Sequence, residues 1–308
     1  MRSPTVGVVI PMHNAAPFIG QALASVAAQT TPPAQVVVVD DCSTDASYAA
    51  AEAWRGRLPL EIVRLPVNRG VSAARNAGAE ALRTDLIALL DADDVWLPDH
   101  LGLCLAAYRR NGGIVSAGAF IWRPEGELVD YRRALRLPSP PPAGPAQLRA
   151  LIAQNFVFVG SLFARADLER VGGFRPPDMV EDWDLWLRLV RDGAAVTQLE
   201  RPTVLYRRHA GNATRRRSVL LERELELLER ARRELRGYDG ELSRAIARRV
   251  AEKRLVERLD GGGPLSRPPI GELAAALTAG WRTRATALAL LGSPRLTRRF
   301  VHGEPPPS

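Results

Sequence analysis

Sulfur is scarce in this sequence. Only Cys42 and Cys104 are cysteines among 308 residues, too few for a disulfide framework. Free thiols in a reducing compartment are therefore expected, and the cytoplasm is the simplest location. Long apolar runs are missing as well. The opening run, Val6 to Ile10, is too short for a signal-peptide core and no cleavage site follows it. The most membrane-like stretch, Leu273 to Leu291, is broken by Arg282 and Arg284, each costing about 2.5–3.5 kcal/mol at the centre of a bilayer helix. It is not expected to span. A helix lying on the inner membrane face, with Trp281 at headgroup level, stays open.

The first 214 residues also lack any charge excess, with 22 basic and 22 acidic side chains. Residues 215–308 hold 20 basic and 12 acidic ones, so the net charge of +8 belongs entirely to the tail. There the arginines alternate with Glu222, Glu224, Glu226, Glu229 and Glu234, the pattern of a salt-bridged helix surface, which dilutes a phosphate-binding field. Nucleic acid is an unfavoured partner, and a lipid surface or self-association through these helices is favoured. What is abundant is core-forming material: 46% of the residues are hydrophobic and 25% charged, which excludes disorder throughout.

From Thr5 to about Leu90, aliphatic runs alternate with helical patterns, which predicts βα units and a mostly parallel central sheet. Val6 to Ile10, Val36 to Val39 and Leu86 to Leu90 are continuous aliphatic segments, as expected of strands covered on both faces. Phe18, Ala22, Leu23, Val26 and Ala27 share one helical face, and Ser72 is a reasonable N-cap for a helix reaching about Leu82. A helix from Pro98 to about Arg110, strands near 114–121 and 158–163, a helix from Val180 to Arg191, and strands at 195–199 and 204–206 extend the domain. Between them the loop Arg136 to Pro145 holds five prolines and cannot be regular. The body is expected to be residues 1–214 and the basic helical extension residues 215–308. In the extension, Leu221, Leu225, Leu228 and Leu235 mark an apolar stripe interrupted by Arg232, and Gly261 to Pro264 break it from a terminal helix.

Each of the first strands runs into polar residues: Pro11-Met12-His13-Asn14, Asp40-Asp41-Cys42-Ser43 and Asp91-Ala92-Asp93-Asp94. In open α/β sheets the carboxyl edge is where ligands bind. Two acidic clusters about 50 residues apart can be brought side by side by parallel strands, and paired carboxylates suit a hard divalent ion that also takes phosphate oxygens. Either cluster alone reads equally well as acids solvating a turn.

Seven motifs in order resemble the family 2 glycosyltransferases of the glycosyltransferase A fold, a Rossmann-like nucleotide-diphospho-sugar transferase architecture. They are Val8-Val9-Ile10-Pro11-Met12-His13-Asn14 with Gln29-Thr30 behind it, Val38-Val39-Asp40-Asp41-Cys42-Ser43-Thr44-Asp45, Asn68-Arg69-Gly70-Val71-Ser72-Ala73-Ala74-Arg75-Asn76-Ala77-Gly78, Leu90-Asp91-Ala92-Asp93-Asp94, Gly172-Gly173-Phe174, Glu181-Asp182-Trp183-Asp184-Leu185-Trp186-Leu187-Arg188 and Tyr206-Arg207-Arg208-His209. The resemblance covers about residues 5–214 and implies an inverting transferase of polysaccharide biosynthesis with Mg²⁺ or Mn²⁺ as cofactor. Its substrates would be a nucleoside-diphosphate sugar and a hydroxyl-bearing acceptor: a glycan, a lipid-linked or a small-molecule alcohol.

Carried over, the resemblance places Asp40 at the donor base, with Pro11, His13, Asn14 and Asp41 beside it, and Asp91 at the ribose. Asp93 would bind the metal with His209 as a further ligand or phosphate contact, and Arg75 would buttress the donor site. Asp182 would be the general base, supported by Glu181, with Asp94 supporting the metal loop. Bland readings accompany each. Glu181, Asp182 and Asp184 are also what a helix dipole favours in a first turn, at least one of Trp183 and Trp186 reads as core, His209 as a strand-end cap, Arg75 as a structural ion-pair partner, and Gly70 and Gly78 as turn and packing glycines. Two departures stand out: Cys42 occupies a common glycine position and His13 a common aromatic one. The rival functions are a nucleotidyltransferase and an inactive nucleotide-sugar-binding scaffold working through its basic tail. The first lacks a basic glycine-rich phosphate loop near the N-terminus and leaves Glu181-Asp182 without a duty.

Overall fold

The computed structural model describes residues 3–123, 128–131, 144–209, 211–212 and 216–260. The chain divides into two compact units, Met1–His209 and Ala210–Ser308. The proline-rich loop up to residue 143, the Gly261 to Pro264 break and the Leu273 to Leu291 segment lie outside the described residues. Within them, no helix is long and apolar enough to cross a membrane.

The first unit is built on one sheet. Its strands are β1 (Val6–Met12), β2 (Gln35–Asp40), β3 (Leu60–Arg64), β4 (Leu86–Leu89), β5 (Val95–Trp96), β6 (Ile114–Trp122), β7 (Val129–Asp130), β8 (Ser161–Ala164) and β9 (Val196–Arg207). Its helices are α1 (Ile19–Ala27), α2 (Ser47–Glu52), α3 (Val71–Ala81), α4 (His100–Asn111), α5 (Ala146–Ala153), α6 (Arg165–Arg170) and α7 (Glu181–Arg191). The strand order is β3-β2-β1-β4-β8-β6-β9-β5, with β7 paired to β6. The β3-β2-β1-β4 block is parallel, as the βα alternation predicts. β8 then runs antiparallel between β4 and β6, so the sheet is mixed.

Val8, Val9, Ile10 and Val36 to Val39 are fully buried, which is why those strands read as unbroken aliphatic runs. α3 lies close on them. A Cβ at Gly78 would stand 2.5 Å from Val9 Cγ1, so only glycine permits this approach. β9 is one strand where two were expected. Pro202 sits opposite Gly118 at a register irregularity, and proline has no N–H to give to the ladder.

The start of α3 also differs from expectation. Gly70, at φ +84°, is the capping residue and offers no side chain, while Ser72 lies inside the helix. The cap comes from far away. Asp178 Oδ1 accepts from the Ser72 N–H at 3.2 Å and from the Ser72 hydroxyl at 2.5 Å, and a Cβ on Gly70 would collide with Asp178 Oδ2. Ser72, Arg75 and Asn76 share a helix face, and all three grip the segment leading into α7: Asn76 Nδ2 donates to the Phe174 carbonyl at 2.9 Å and its Oδ1 accepts the Phe174 N–H at 2.8 Å.

The second unit contains α8 (Arg217–Glu234) and α9 (Asp239–Asp260). They pair antiparallel, since Arg217 meets Glu252 while Glu224 meets Arg249. Leu221, Leu227, Leu228 and Leu235 are buried, whereas Leu225 is only half-buried and Arg232 lies exposed beside the stripe. Burial opposes the charge of Glu224, yet Arg249 and Arg217 outweigh it and hold the carboxyl below its ordinary range.

Candidate active site

The carboxyl ends of β1 and β2 form one half of the site. Pro11 is the penultimate residue of β1, and His13 and Asn14 follow the strand. Asp40 is fully buried, its Oδ1 accepting the Ser43 N–H at 2.9 Å and its Oδ2 the Arg64 Nε–H at 3.3 Å. Asp41 folds the other way and accepts the backbone N–H groups of Arg69 at 2.7 Å and Gly70 at 2.8 Å. This bond joins the third signature to the second. His13 Nδ1 lies 2.8 Å from the Asp41 carbonyl, which can only accept, so Nδ1 carries the proton. Nε2 then accepts from Asn68 Nδ2 at 3.1 Å and Asn14 Nδ2 at 3.2 Å. Cys42 takes φ +59°, the left-handed conformation that explains why glycine suits this position.

The loop after β4 supplies the other half. Asp94 is buried and its Oδ1 accepts the Arg207 N–H at 2.9 Å, while Arg207 Nε donates to the Asp93 carbonyl at 2.8 Å. β9 is thereby tied to the acidic loop, and His209, two residues on, reaches Asp93 Oδ2 with Nε2 at 2.9 Å. Phe18 packs on the His209 ring with centroids 4.5 Å apart. Burial and the charge of Asp91 raise the Asp93 carboxyl above its ordinary range, against the pull of His209. Asp94 is raised further by burial and by both neighbours.

Arg75 joins this loop to α7. It is 2% exposed, donating from Nη2 to Asp91 Oδ1 at 2.7 Å and from Nη1 to Glu181 Oε1. Burial opposes the guanidinium charge, but Asp91 and Glu181 hold it firmly protonated. Glu181 is raised by burial despite Arg75. Asp182, beside it, is pushed up to about 7 by burial and by the Glu181 charge, with Arg75 pulling the other way. Among the described residues, Glu181 Oε2 and Arg75 Nε are buried without a hydrogen-bond partner.

Asp184 has a different task, since Arg175 and Arg188 bind its carboxylate at 3.0 Å and 2.7 Å. Trp183 and Trp186 are both core, at 2% and 0% exposure. Asn155, Asp178 and Arg207 are the working side chains that motif reading did not single out. Asp178 and Asn155 stand in segments with no motif, and their partners are 106 and 27 residues away.

The donor set decides how a divalent ion would fit. Asp93 and His209 present an oxygen and a nitrogen 2.9 Å apart. Among the described residues no group of three or more His, Cys, Asp or Glu side chains could hold a metal by itself. Mg²⁺ and Mn²⁺ need no such cage, because one or two protein ligands suffice when substrate phosphates complete the shell. The pair therefore fits an ion that binds together with a diphosphate.

A mixed sheet of this order, with acids gathered at its strand ends, defines the glycosyltransferase A class of nucleotide-sugar fold. A mannosyltransferase from Pyrobaculum calidifontis, solved with GDP-Man and Mn²⁺, superposes with a TM-score of 0.62 at 21% identity, over 98% of this chain and 86% of that one. S. aureus TarS 1-349 in complex with UDP does so with a TM-score of 0.55 at 15% identity, over 97% and 90%. The sequence model of Glycosyl transferase family 2 matches residues 7–172, and the chain belongs to that family of glycosyltransferase enzymes. The succinoglycan biosynthesis protein ExoU of Rhizobium meliloti is 34% identical over 206 residues, 62% of this chain and 59% of ExoU. The amylovoran biosynthesis glycosyltransferase AmsE of Erwinia amylovora is 30% identical over 193 residues, 62% of this chain and 70% of AmsE.

Proposed function

We propose that this chain transfers a sugar from a nucleoside-diphosphate donor to a hydroxyl of a growing polysaccharide unit, with inversion at the anomeric carbon. Residues 1–214 are the catalytic part and 215–308 a basic helical extension. The observation that carries the reading is Arg75, which binds Asp91 on the donor side and Glu181, the neighbour of Asp182, on the acceptor side. A sugar alcohol is a poor nucleophile at neutral pH. Asp182 accepts its proton as the alcohol oxygen bonds to the anomeric carbon from the face opposite the diphosphate, and the bond to the diphosphate oxygen breaks. One base and one displacement give inversion. A carboxyl near pH 7 is a stronger proton acceptor than an ordinary aspartate while still half ionised there.

Pro11, His13, Asn14, Asp40 and Asp41 form the nucleoside cradle, with Asp91 at the ribose. Arg75 braces Asp91 and Glu181, and Asp94 holds the acidic loop against β9. Asp93 and His209 would hold Mg²⁺ or Mn²⁺, which when bound offsets the charge developing on the leaving diphosphate. The relatives named for succinoglycan and amylovoran biosynthesis support the acceptor class. Thermal stabilisation by uridine, guanosine and thymidine diphosphates with Mn²⁺ identifies the donor base. Transfer from the matching sugar nucleotide is then compared between wild type and Asp182→Asn. Transfer that persists in Asp182→Asn overturns the assignment, and turnover of a nucleoside triphosphate with a sugar phosphate instead would make the chain a nucleotidyltransferase.

A further inference from the structure

The side chain of Asp182 is held by two hydrogen bonds. Its Oδ1 accepts the Trp183 N–H at 2.6 Å, and its Oδ2 lies 3.2 Å from Asn155 Nδ2 in the segment after α5. The orientation of the Asn155 amide is fixed independently. Its Oδ1 accepts the Val157 N–H at 3.1 Å, an Asx turn, so the NH₂ end must be the one that faces Asp182.

That turn is itself anchored. Phe156, Val157 and Phe158 are buried, the Phe158 N–H donates to Ser116 Oγ at 3.1 Å, and Ser161 Oγ donates to the Phe158 carbonyl. One helix turn earlier, the Leu151 carbonyl accepts the Trp183 indole N–H at 2.8 Å. Two consecutive residues of α7 are thus fastened to α5 and the segment behind it.

We infer that Asn155 is a positioning residue for the reaction proposed above: its amide locks the carboxylate of Asp182 in one rotamer and turns one face of it to the incoming alcohol. A carboxylate has about four lone-pair positions, and the two bonds leave the others for the acceptor proton. The same N–H donor favours the ionised form. The other charged groups that bear on Asp182 are Glu181 on its own helix, Arg75 from α3 and Asp91 from the loop after β4, and of these only Arg75 favours ionisation. Asn155 is a neutral donor in direct contact and acts in the same sense as Arg75. The arrangement is that of a base oriented by a third group.

The inference rests on Asp182 being the base, but its test does not require turnover. The full chain is labelled with ¹³C at aspartate carboxyls, and the Asp182 resonance is assigned by its loss in Asp182→Asn. Its titration is then followed in wild type, in Asn155→Leu, which matches the amide in size and cannot donate, and in Asn155→Ala, which guards against a packing failure of leucine. Removing the donor is expected to raise the Asp182 midpoint by about one pH unit, a tenfold change in proton affinity, in whichever variant folds. A midpoint within about 0.2 units of wild type in a folded variant overturns the inference. The two readings fail separately: an unmoved midpoint removes Asn155 and leaves Asp182 as base, whereas transfer by Asp182→Asn removes the base and leaves the Asn155 shift measurable.

Discussion

Asp40 and Asp41 at the end of β2 are as deeply buried as Glu181 at the start of α7, at 0%, 4% and 5% exposure, yet the two regions surround their acids differently. The end of β2 answers its acids with hydrogen-bond donors, chiefly backbone N–H groups, which cost little to bring together because loop amides need acceptors in any case. The start of α7 gives Glu181, Asp182 and Asp91 a single guanidinium between them and leaves one carboxylate oxygen and one guanidinium nitrogen without partners. Burial pushes Glu181 and Asp182 up because few donors answer it there. The number and kind of donors around a buried carboxylate decide how much of that push is offset.

Removing the charge at each place tests the contrast. Asp182→Asn is expected to lower transfer by about 10²–10⁴-fold, the range for a general base, while diphosphate binding read by thermal shift is retained. The same variant should melt a few degrees higher, since it removes a charge the fold disfavours. Wild-type activity should follow the same group. A base raised to about 7 is ionised above that pH and protonated below it, so kcat/KM should fall tenfold per unit as pH drops beneath 7, and the limb should vanish from the residual activity of Asp182→Asn.

Arg75→Ala leaves Asp91 and Glu181 facing each other uncompensated and is expected to cost about 3–5 kcal/mol in denaturant unfolding. A loss below about 1 kcal/mol would mean that the two acids are solvated rather than clasped. Asp41→Ala strips acceptors from two loop amides and should cost about 1–3 kcal/mol. The smallest effect is expected at Cys42, where glycine relieves a left-handed backbone: Cys42→Gly should stabilise the chain by up to about 1 kcal/mol and Cys42→Val should destabilise it.

The sequence made some of this legible and hid the rest for physical reasons. Val6 to Ile10 and Val36 to Val39 announce buried strands because helices cover both faces. β3, Leu60–Arg64, sits at the edge of the sheet with no fully buried residue, and it lacks the aliphatic run that marks its neighbours. Ser72 has the composition of a cap but lies past the helix start, because the actual cap is a distant aspartate that local pattern cannot reveal. The acidic clusters were readable as residue types. That Arg75 would be buried and would clasp an acid of the β4 loop and one of α7 depends on α3, that loop and α7 meeting, which no spacing reports.

Asp178 carries a consequence for the order in which the protein is made. α3 holds the arginine that joins the β4 loop to α7, but its opening turn is completed by a residue synthesised 106 positions after Ser72. Until Asp178 has been synthesised, the N–H and hydroxyl of Ser72 lack the partner they have in the finished fold. That cap can form only once the aspartate has arrived, and the same stretch brings Glu181, Asp182 and Asp184 of α7 with it. A nascent chain cannot complete the arginine clasp before α7 is made.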